Sequence, residues 1–348
     1  MRILITGNMG YVGPVVVAHL RERWPAAELI GFDSGFFAQC LTSASAFPER
    51  ILNEQVFGDV RDFPVTLLEG VDAVVHLAAL SNDPIGVRFE TQTEDINYFA
   101  SLAIARAAAK AGVNHFVFAS SCSVYGFADG GPRKEDDPLN PLTAYAKSKI
   151  ATEAALAELD APDMTITCLR FATACGFSPR LRLDLVLNDF VAMALSTGEI
   201  KVLSDGTPWR PLIDVRDMAR AIEWALTREV SNGGRFLAIN AGRDDHNHQV
   251  SDLAAAVADK IPGTQVSINK DAPPDQRSYQ VDFKRFHDTA PDHQPLVSLS
   301  ETIERLIDGI TTAKHANREV LPSETKRLAI LERHIDAGNI SADMRWLN

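Results

Sequence analysis

Cysteine is scarce: Cys40, Cys122, Cys168 and Cys175 are scattered through a chain of 348 residues. Their spacing fits no zinc or redox motif, so they are expected to be reduced, buried thiols, with no metal bound. Positive charge is short as well. Lysine and arginine number 34 against 46 acidic residues, for a net charge of -12. That balance excludes the broad positive field that nucleic acid or an anionic membrane surface demands. No apolar run approaches the ~18 residues needed to cross a bilayer, and an apolar strand starts at Arg2 with no charged leader before it. These absences predict a cytoplasmic protein without a membrane segment. Internal repeats and low-complexity tracts are lacking too. What is present, 46% hydrophobic and 23% charged residues, suits a globular chain with a sizeable core.

Short apolar runs alternate with helical patterns through the first half. Arg2–Thr6, Glu28–Phe32, Ala73–Leu77, His115–Ala119 and Met164–Leu169 read as strands, with helices at Tyr98–Ala111 and Thr143–Leu159. Such alternation predicts βαβ units and an α/β fold, a Rossmann-like doubly wound parallel sheet. The texture changes near residue 172. A loop at Gly176–Arg182, a helix at Leu185–Leu195, and a return through Trp209–Arg220 to a strand at Phe236–Asn240 come next. Val250–Lys260 is helical, Gln265–Ser278 with its prolines reads as a substrate-side loop, and 299–313 and 323–337 as terminal amphipathic helices. The division expected is a dinucleotide-binding domain at 1–172, with returning segments near 209–248. A smaller, discontinuous C-terminal substrate-binding domain and helical tail would make up most of 173–348.

Chemistry gathers at the expected strand ends. Thr6 leads into Gly7-Asn8-Met9-Gly10-Tyr11-Val12-Gly13, a glycine-spaced turn opening onto a helix. Such a turn lets backbone N–H groups approach a pyrophosphate beside a helix N-terminus. The next strand ends in Asp33, twenty residues beyond Gly13, where a carboxylate can accept from adenosine ribose hydroxyls. A 2′-phosphate would be repelled there, so NAD is expected rather than NADP. Tyr145 and Lys149 stand at i and i+4 on one helix face. A phenol titrates near ~10 when unperturbed; a neighbouring ammonium stabilises the phenolate, which can then take a proton from a substrate hydroxyl. Ser120 and Ser121 end a strand just upstream, where a hydroxyl can orient the reacting oxygen. Ser81 and Asn82 leave another strand end, positioned either to touch substrate or to form an Asx-type turn before Pro84. Asp244–His248 carries two histidines at i and i+2, a spacing that suits a solvated loop better than a zinc site.

Taken in order, these motifs make the chain resemble the extended short-chain dehydrogenase/reductase family, in its nucleotide-sugar epimerase/dehydratase branch, over roughly residues 1–310. The resemblance implies coenzyme contacts at Gly7, Met9, Gly10, Tyr11, Val12, Gly13 and Asp33. It adds Asp59 and Val60 within Gly58–Asp62 at the adenine, then Leu77, Ala78 and Ala79 after the strand, Asn97 and Ser120. Ser121, Tyr145 and Lys149 fall on the family's catalytic serine/threonine, tyrosine and lysine. On the substrate side it implies Ser121, Ser123, Thr173 and Asn188, to which Ser81 and Asn82 are added by their place at the strand end. Arg210 and Arg277 would pair the pyrophosphate of a nucleotide-diphosphate sugar, with Arg180 and Arg182 as weaker candidates.

Two departures narrow the expectation. Where the branch's 4,6-dehydratases carry Asp and Glu after the catalytic Ser/Thr, this chain has Cys122 and Ser123, so water elimination lacks its proton donor. Cys122 is expected to pack rather than react. Thr173 replaces a common asparagine. The reaction expected is NAD-dependent epimerisation, favoured at C4, through a keto sugar. The alternatives are a net nucleotide-sugar dehydrogenase or keto-reductase and a catalytically silent NAD-binding regulator. The resemblance further implies a homodimer packed through Tyr98–Ala111 and Thr143–Leu159. The tail after residue 315 reads as a capping or dimer-supporting element.

Overall fold

The computed structural model describes residues 1–42, 46–81, 83–128, 130–272, 278–315 and 325–347. Six strands come in succession: β1 (Arg2–Thr6), β2 (Glu28–Asp33), β3 (Glu54–Phe57), β4 (Ala73–His76), β5 (His115–Ser121) and β6 (Thr165–Phe171). The short β7 (Thr173–Cys175), β8 (Glu199–Val202) and β9 (Trp209–Asp214) intervene before β10 (Phe236–Ala241). Strand β10 then joins the first six in one parallel sheet of order β3-β2-β1-β4-β5-β6-β10. The order reverses between β1 and β4, which opens a crevice at their carboxyl ends.

The strands are apolar on both faces because both are covered. Along β1, Ile3 and Ile5 enter one core with Val16 and Leu20 of α1 (Gly13–Arg23), and Leu4 enters the other. Val74 between Ala73 and Val75, and Val117 between Phe116 and Phe118, divide in the same way. This period of two with both sides buried is the signature of a parallel sheet between helical layers. The short helices α2 (Asp83–Arg88) and α3 (Glu90–Glu94) lead into α4 (Ser101–Lys110) and α5 (Ala144–Ala157). Ile104 of α4 and Leu156 of α5 cover Leu4's face. Later come α6 (Val186–Thr197) and α7 (Val215–Thr227), whose Ile222 packs in the core with α1.

Two small sheets complete the second half. Strand β9 lies between β7, parallel, and β11 (Asn247–Gln249), antiparallel; after α8 (Val250–Lys260), β12 (Gln265–Ile268) pairs with β8 in parallel. Three sequence expectations change here. Gln265–Ser278 is not all loop, because Gln-Val-Ser-Ile alternates as a strand does, a signal hidden by the downstream prolines. Asp244–His248 is solvated only in part: in the 3₁₀ turn Asp244–His246 the two aspartates are exposed but His246 is buried, and Asn247, on β11, exchanges two 2.9 Å hydrogen bonds with Val281. The helix at Tyr98–Ala111 begins instead as a π-turn at Asp95–Ala100. There the Asn97 carbonyl accepts from Thr152 Oγ1 (3.0 Å) and Ser101 Oγ (2.8 Å), and such intrusions loosen the helical ladder. All four cysteines are buried. Among the described residues no helix is long and apolar enough to cross a membrane.

Candidate active site

The glycine turn is fixed by close approaches that a side chain would forbid. Gly7 has φ +74°, and a β-carbon on it would come 2.5 Å from the Ala78 backbone nitrogen. Its N–H donates to the Phe32 carbonyl (2.9 Å), pinning the turn between the ends of β2 and β4. At Gly13 a β-carbon would lie 2.2 Å from the Asn8 carbonyl oxygen. Helix α1 therefore begins hard against the turn, with no side-chain cap from Val12 and no acidic residue in its first turn. Its first N–H groups lack intrahelical acceptors, and with the helix dipole they favour an anion. Asp33 is buried, and each of its oxygens accepts one backbone N–H, from Met9 (3.0 Å) and Gly35 (2.8 Å). Burial raises its carboxyl pKa while these bonds pull it back. Asp59 caps the 3₁₀ turn Val60–Asp62 and pairs with Arg61 at 2.5 Å. Leu77 and Ala78 donate backbone hydrogen bonds to Thr6, leading to Ala79. Donors, a helix N-terminus and two carboxylates thus line three adjacent strand ends, a set that fits a dinucleotide.

Helix α5 carries Tyr145 and Lys149 to the end of β5. Thr143 caps it by accepting from the Ala146 N–H (3.2 Å). Lys149, only 2% exposed, donates from Nζ to the Ala119 carbonyl (2.6 Å). The same nitrogen lies 4.5 Å from the Phe118 ring centroid and 5.5 Å from that of Tyr145. Burial drags the lysine pKa down to about 7, against the pull of Glu153. Ser121 ends β5, and its Oγ accepts from the Ser123 N–H (3.1 Å). Ser120 faces elsewhere: its hydroxyl donates to buried Glu153, which pairs with Arg170 at 2.7 Å. The Ser120 hydroxyl, expected at the coenzyme, is thus engaged within the fold. Cys122 packs, with its buried thiol donating to the Arg170 carbonyl (3.1 Å) and burial pushing its pKa up. Asn97 braces the chain after β4, accepting from the Leu80 N–H (2.8 Å) and donating to the Leu80 carbonyl (3.0 Å) and Ser148 Oγ (3.2 Å).

Of the residues expected at the substrate, Ser81 and Arg182 come together, with Arg182 Nη1 donating to Ser81 Oγ (2.9 Å). Arg182 is buried and pairs with Asp184 (2.8 Å), and its Nη2 is without a hydrogen-bond partner. Electrostatically it faces the phenols of Tyr11 and Tyr145. Sequence gave no reason to rank it above Arg180, which is instead ion-paired with Glu49 at 2.5 Å. Ser123 Oγ is likewise buried without a partner. Asn188 is occupied within the fold: its Oδ1 accepts from Gly176 N–H, and its Nδ2 donates to Tyr11 Oη and the Arg182 carbonyl, each at 3.0 Å. Tyr11 donates to the Gly176 carbonyl (2.6 Å), so these two side chains tie the glycine turn to α6. Thr173 lies on β7 and Arg210 on β9, where Arg210 Nη1 donates to the Trp209 carbonyl (2.8 Å). Asn82 and Arg277 lie outside the described residues. Among those described, no cluster of three His, Cys, Asp or Glu side chains could hold a metal ion.

Comparison with known proteins agrees with this geometry. Residues 3–242 match the model of the NAD dependent epimerase/dehydratase family. A UDP-glucose 4-epimerase of Corynebacterium glutamicum is 29% identical over 261 residues, 70% of this chain and 76% of that protein. A dTDP-glucose 4,6-dehydratase of Streptomyces griseus is 26% identical over 288 residues, 82% of this chain and 86% of that one. A solved UDP-glucose-4-epimerase of Stenotrophomonas maltophila, with bound NAD and formylated UDP-arabinopyranose, gives a TM-score of 0.74 at 25% identity, covering 91% of this chain and 99% of that one. MoeE5 in complex with UDP-glucuronic acid and NAD shares the fold, with a TM-score of 0.76 at 24% identity, over 90% of this chain and 100% of that one. With the match spanning more than half its length, the chain belongs to the NAD dependent epimerase/dehydratase family.

Proposed function

We propose that this enzyme epimerises a nucleotide-diphosphate sugar at C4 through a 4-keto sugar. NAD, when bound, supplies a reversible hydride acceptor. Tyr145 takes the proton of the sugar hydroxyl as its carbon is oxidised and returns it when the carbonyl is reduced. Lys149, held by the Ala119 carbonyl beneath the Tyr145 ring, stabilises the phenolate when protonated. Ser121, at the end of the same strand, orients the reacting hydroxyl. Gly7, Gly10, Gly13 and Asp33 receive the coenzyme's pyrophosphate and ribose, with Asp59 and Val60 at its adenine. Arg182 and Ser81 lie on the sugar side. The observation that carries this reading is the placement of Tyr145 over a buried, carbonyl-anchored Lys149 at the end of β5. Epimerisation is favoured over dehydration because neither position after Ser121 bears a carboxylate; Cys122 and Ser123 stand there.

The test is to incubate the protein with NAD and either UDP-glucose or dTDP-glucose and follow C4 stereochemistry by NMR. The expected result is appearance of the C4 epimer without net reduction of the coenzyme, lost in Tyr145→Phe. Steady accumulation of reduced coenzyme would assign a net dehydrogenase instead, and loss of the 6-hydroxyl a dehydratase.

A further inference from the structure

The tail beyond the family match bears on the coenzyme half of the molecule. After the terminal helix Arg327–Asp336, the chain folds back in a small hairpin, with Ile340 bridging Trp346 and Leu347 N–H donating to the Asn339 carbonyl (2.9 Å). Ile340 and Met344 are buried in the same core as Leu4, Ile30 and Phe32 of the main sheet. The hairpin grips two segments at once. Trp346 Nε1 donates to the Ser34 carbonyl (2.6 Å), and its ring lies 5.6 Å from Phe36 and 5.2 Å from His334. His334 in turn hydrogen-bonds the Phe36 carbonyl (3.1 Å). On the other side, Arg61 donates to the carbonyls of Asp343 (2.8 Å) and Met344 (2.9 Å), while Arg345 pairs with Asp62 and lies 3.9 Å from Asp59. The first segment follows Asp33 and the second carries Asp59 and Val60, the two segments assigned to adenosine.

Between them lies a cavity of about 550 Å³ lined by Ser34, Gly35, Phe57, Gly58, Asp59, Arg345 and Trp346. Five of these residues belong to the strand ends and two to the tail. Phe57 and Trp346 are both substantially exposed, and the cavity's mix of aromatic surface, carboxylate and guanidinium suits a purine nucleoside.

We propose that Arg345 and Trp346 complete the adenosine pocket, so that the tail is a coenzyme-binding element. Trp346 supplies apolar wall and, through Ser34, holds the ribose-side loop in place. Arg345 offsets the paired negative charge of Asp59 and Asp62 and keeps the adenine-side turn in register. The inference rests on NAD being the coenzyme, and is independent of which sugar is turned over.

The test measures binding, not turnover. The probes are ADP-ribose, which carries the adenosine half alone, and UDP as a control for the sugar-nucleotide side, titrated calorimetrically into wild type, Trp346→Ala, Trp346→Phe and Arg345→Gln. Trp346→Ala should weaken ADP-ribose at least tenfold and Arg345→Gln several-fold, with Trp346→Phe restoring most of the loss and UDP unchanged. In the wild type, ADP-ribose should slow amide exchange at 339–347. Unchanged ADP-ribose affinity in both variants, or no protection of the tail in the wild type, overturns the proposal. So does a parallel loss of UDP binding and melting temperature, which would make the tail structural only. Failure of the wild type to bind ADP-ribose at all would instead strike at the coenzyme itself.

Discussion

Lys149 is a lysine whose surroundings have altered its chemistry, and its burial can be read out in solution. Its folded-state pKa of about 7 lies below the ordinary 10.5. Across that interval the unfolded chain holds a proton that the folded chain gives up. Stability therefore rises with pH through the window and falls as pH drops toward 7. Urea midpoints of wild type and Lys149→Met, compared between about pH 7 and 9, should show the wild type gaining on the variant as pH rises. Parallel curves would contradict this. At Tyr145, replacement by Phe should cut turnover about 10²- to 10⁴-fold with coenzyme still bound, as measured by single-turnover kinetics beside a binding titration. The i, i+4 spacing made both residues legible in the sequence, because a helix alone sets it. Arg182 was not separable from Arg180, since only the folded chain shows one beside Ser81 and the other paired with Glu49.

At the level of elements, the glycine turn and the β5–α5 junction carry the site. Gly7 combines φ +74° with a β-carbon position 2.5 Å from backbone. Gly7→Ala should thus cost about 1–3 kcal/mol in strain and weaken NAD, read by urea unfolding and calorimetry. Beneath α5, Glu153 and Arg170 form a buried pair with Ser120, and Arg170 Nη1 also reaches Tyr125 Oη (3.1 Å). Glu153→Gln should destabilise the protein by about 3–5 kcal/mol, because it leaves the guanidinium charge uncompensated in the interior; chemical denaturation checks this. The strand and helix bounds were close to legible, since hydrophobic periodicity is local. The π-turn at Asp95–Ala100 was not. It arises where Thr152, far along the chain, reaches the Asn97 carbonyl.

For the whole molecule, the seven-stranded order creates the crevice, and the tail packs beside the ends of β2 and β3. We propose assembly as a homodimer through the faces of α4 and α5. Phe99, 54% exposed, and Leu142, 40% exposed, stand just before those two helices. Light scattering at low micromolar concentration should give twice the chain mass, and Phe99→Asp should shift it toward monomer. A monomer mass for the wild type would end that reading.

The amino-acid order by itself determined the alternation of strand and helix, the glycine turn and the Tyr145/Lys149 pair, because each depends on residues a few positions apart. Which hydroxyl is taken up by Glu153, which arginine meets Ser81 and where the tail comes to rest were settled only by tertiary structure. Each depends on partners brought together from distant parts of the chain: Ser120 with Glu153, Arg182 with Ser81, Trp346 with Ser34. Burial then fixes those pairings, since a polar group taken out of water must find its partner within the fold.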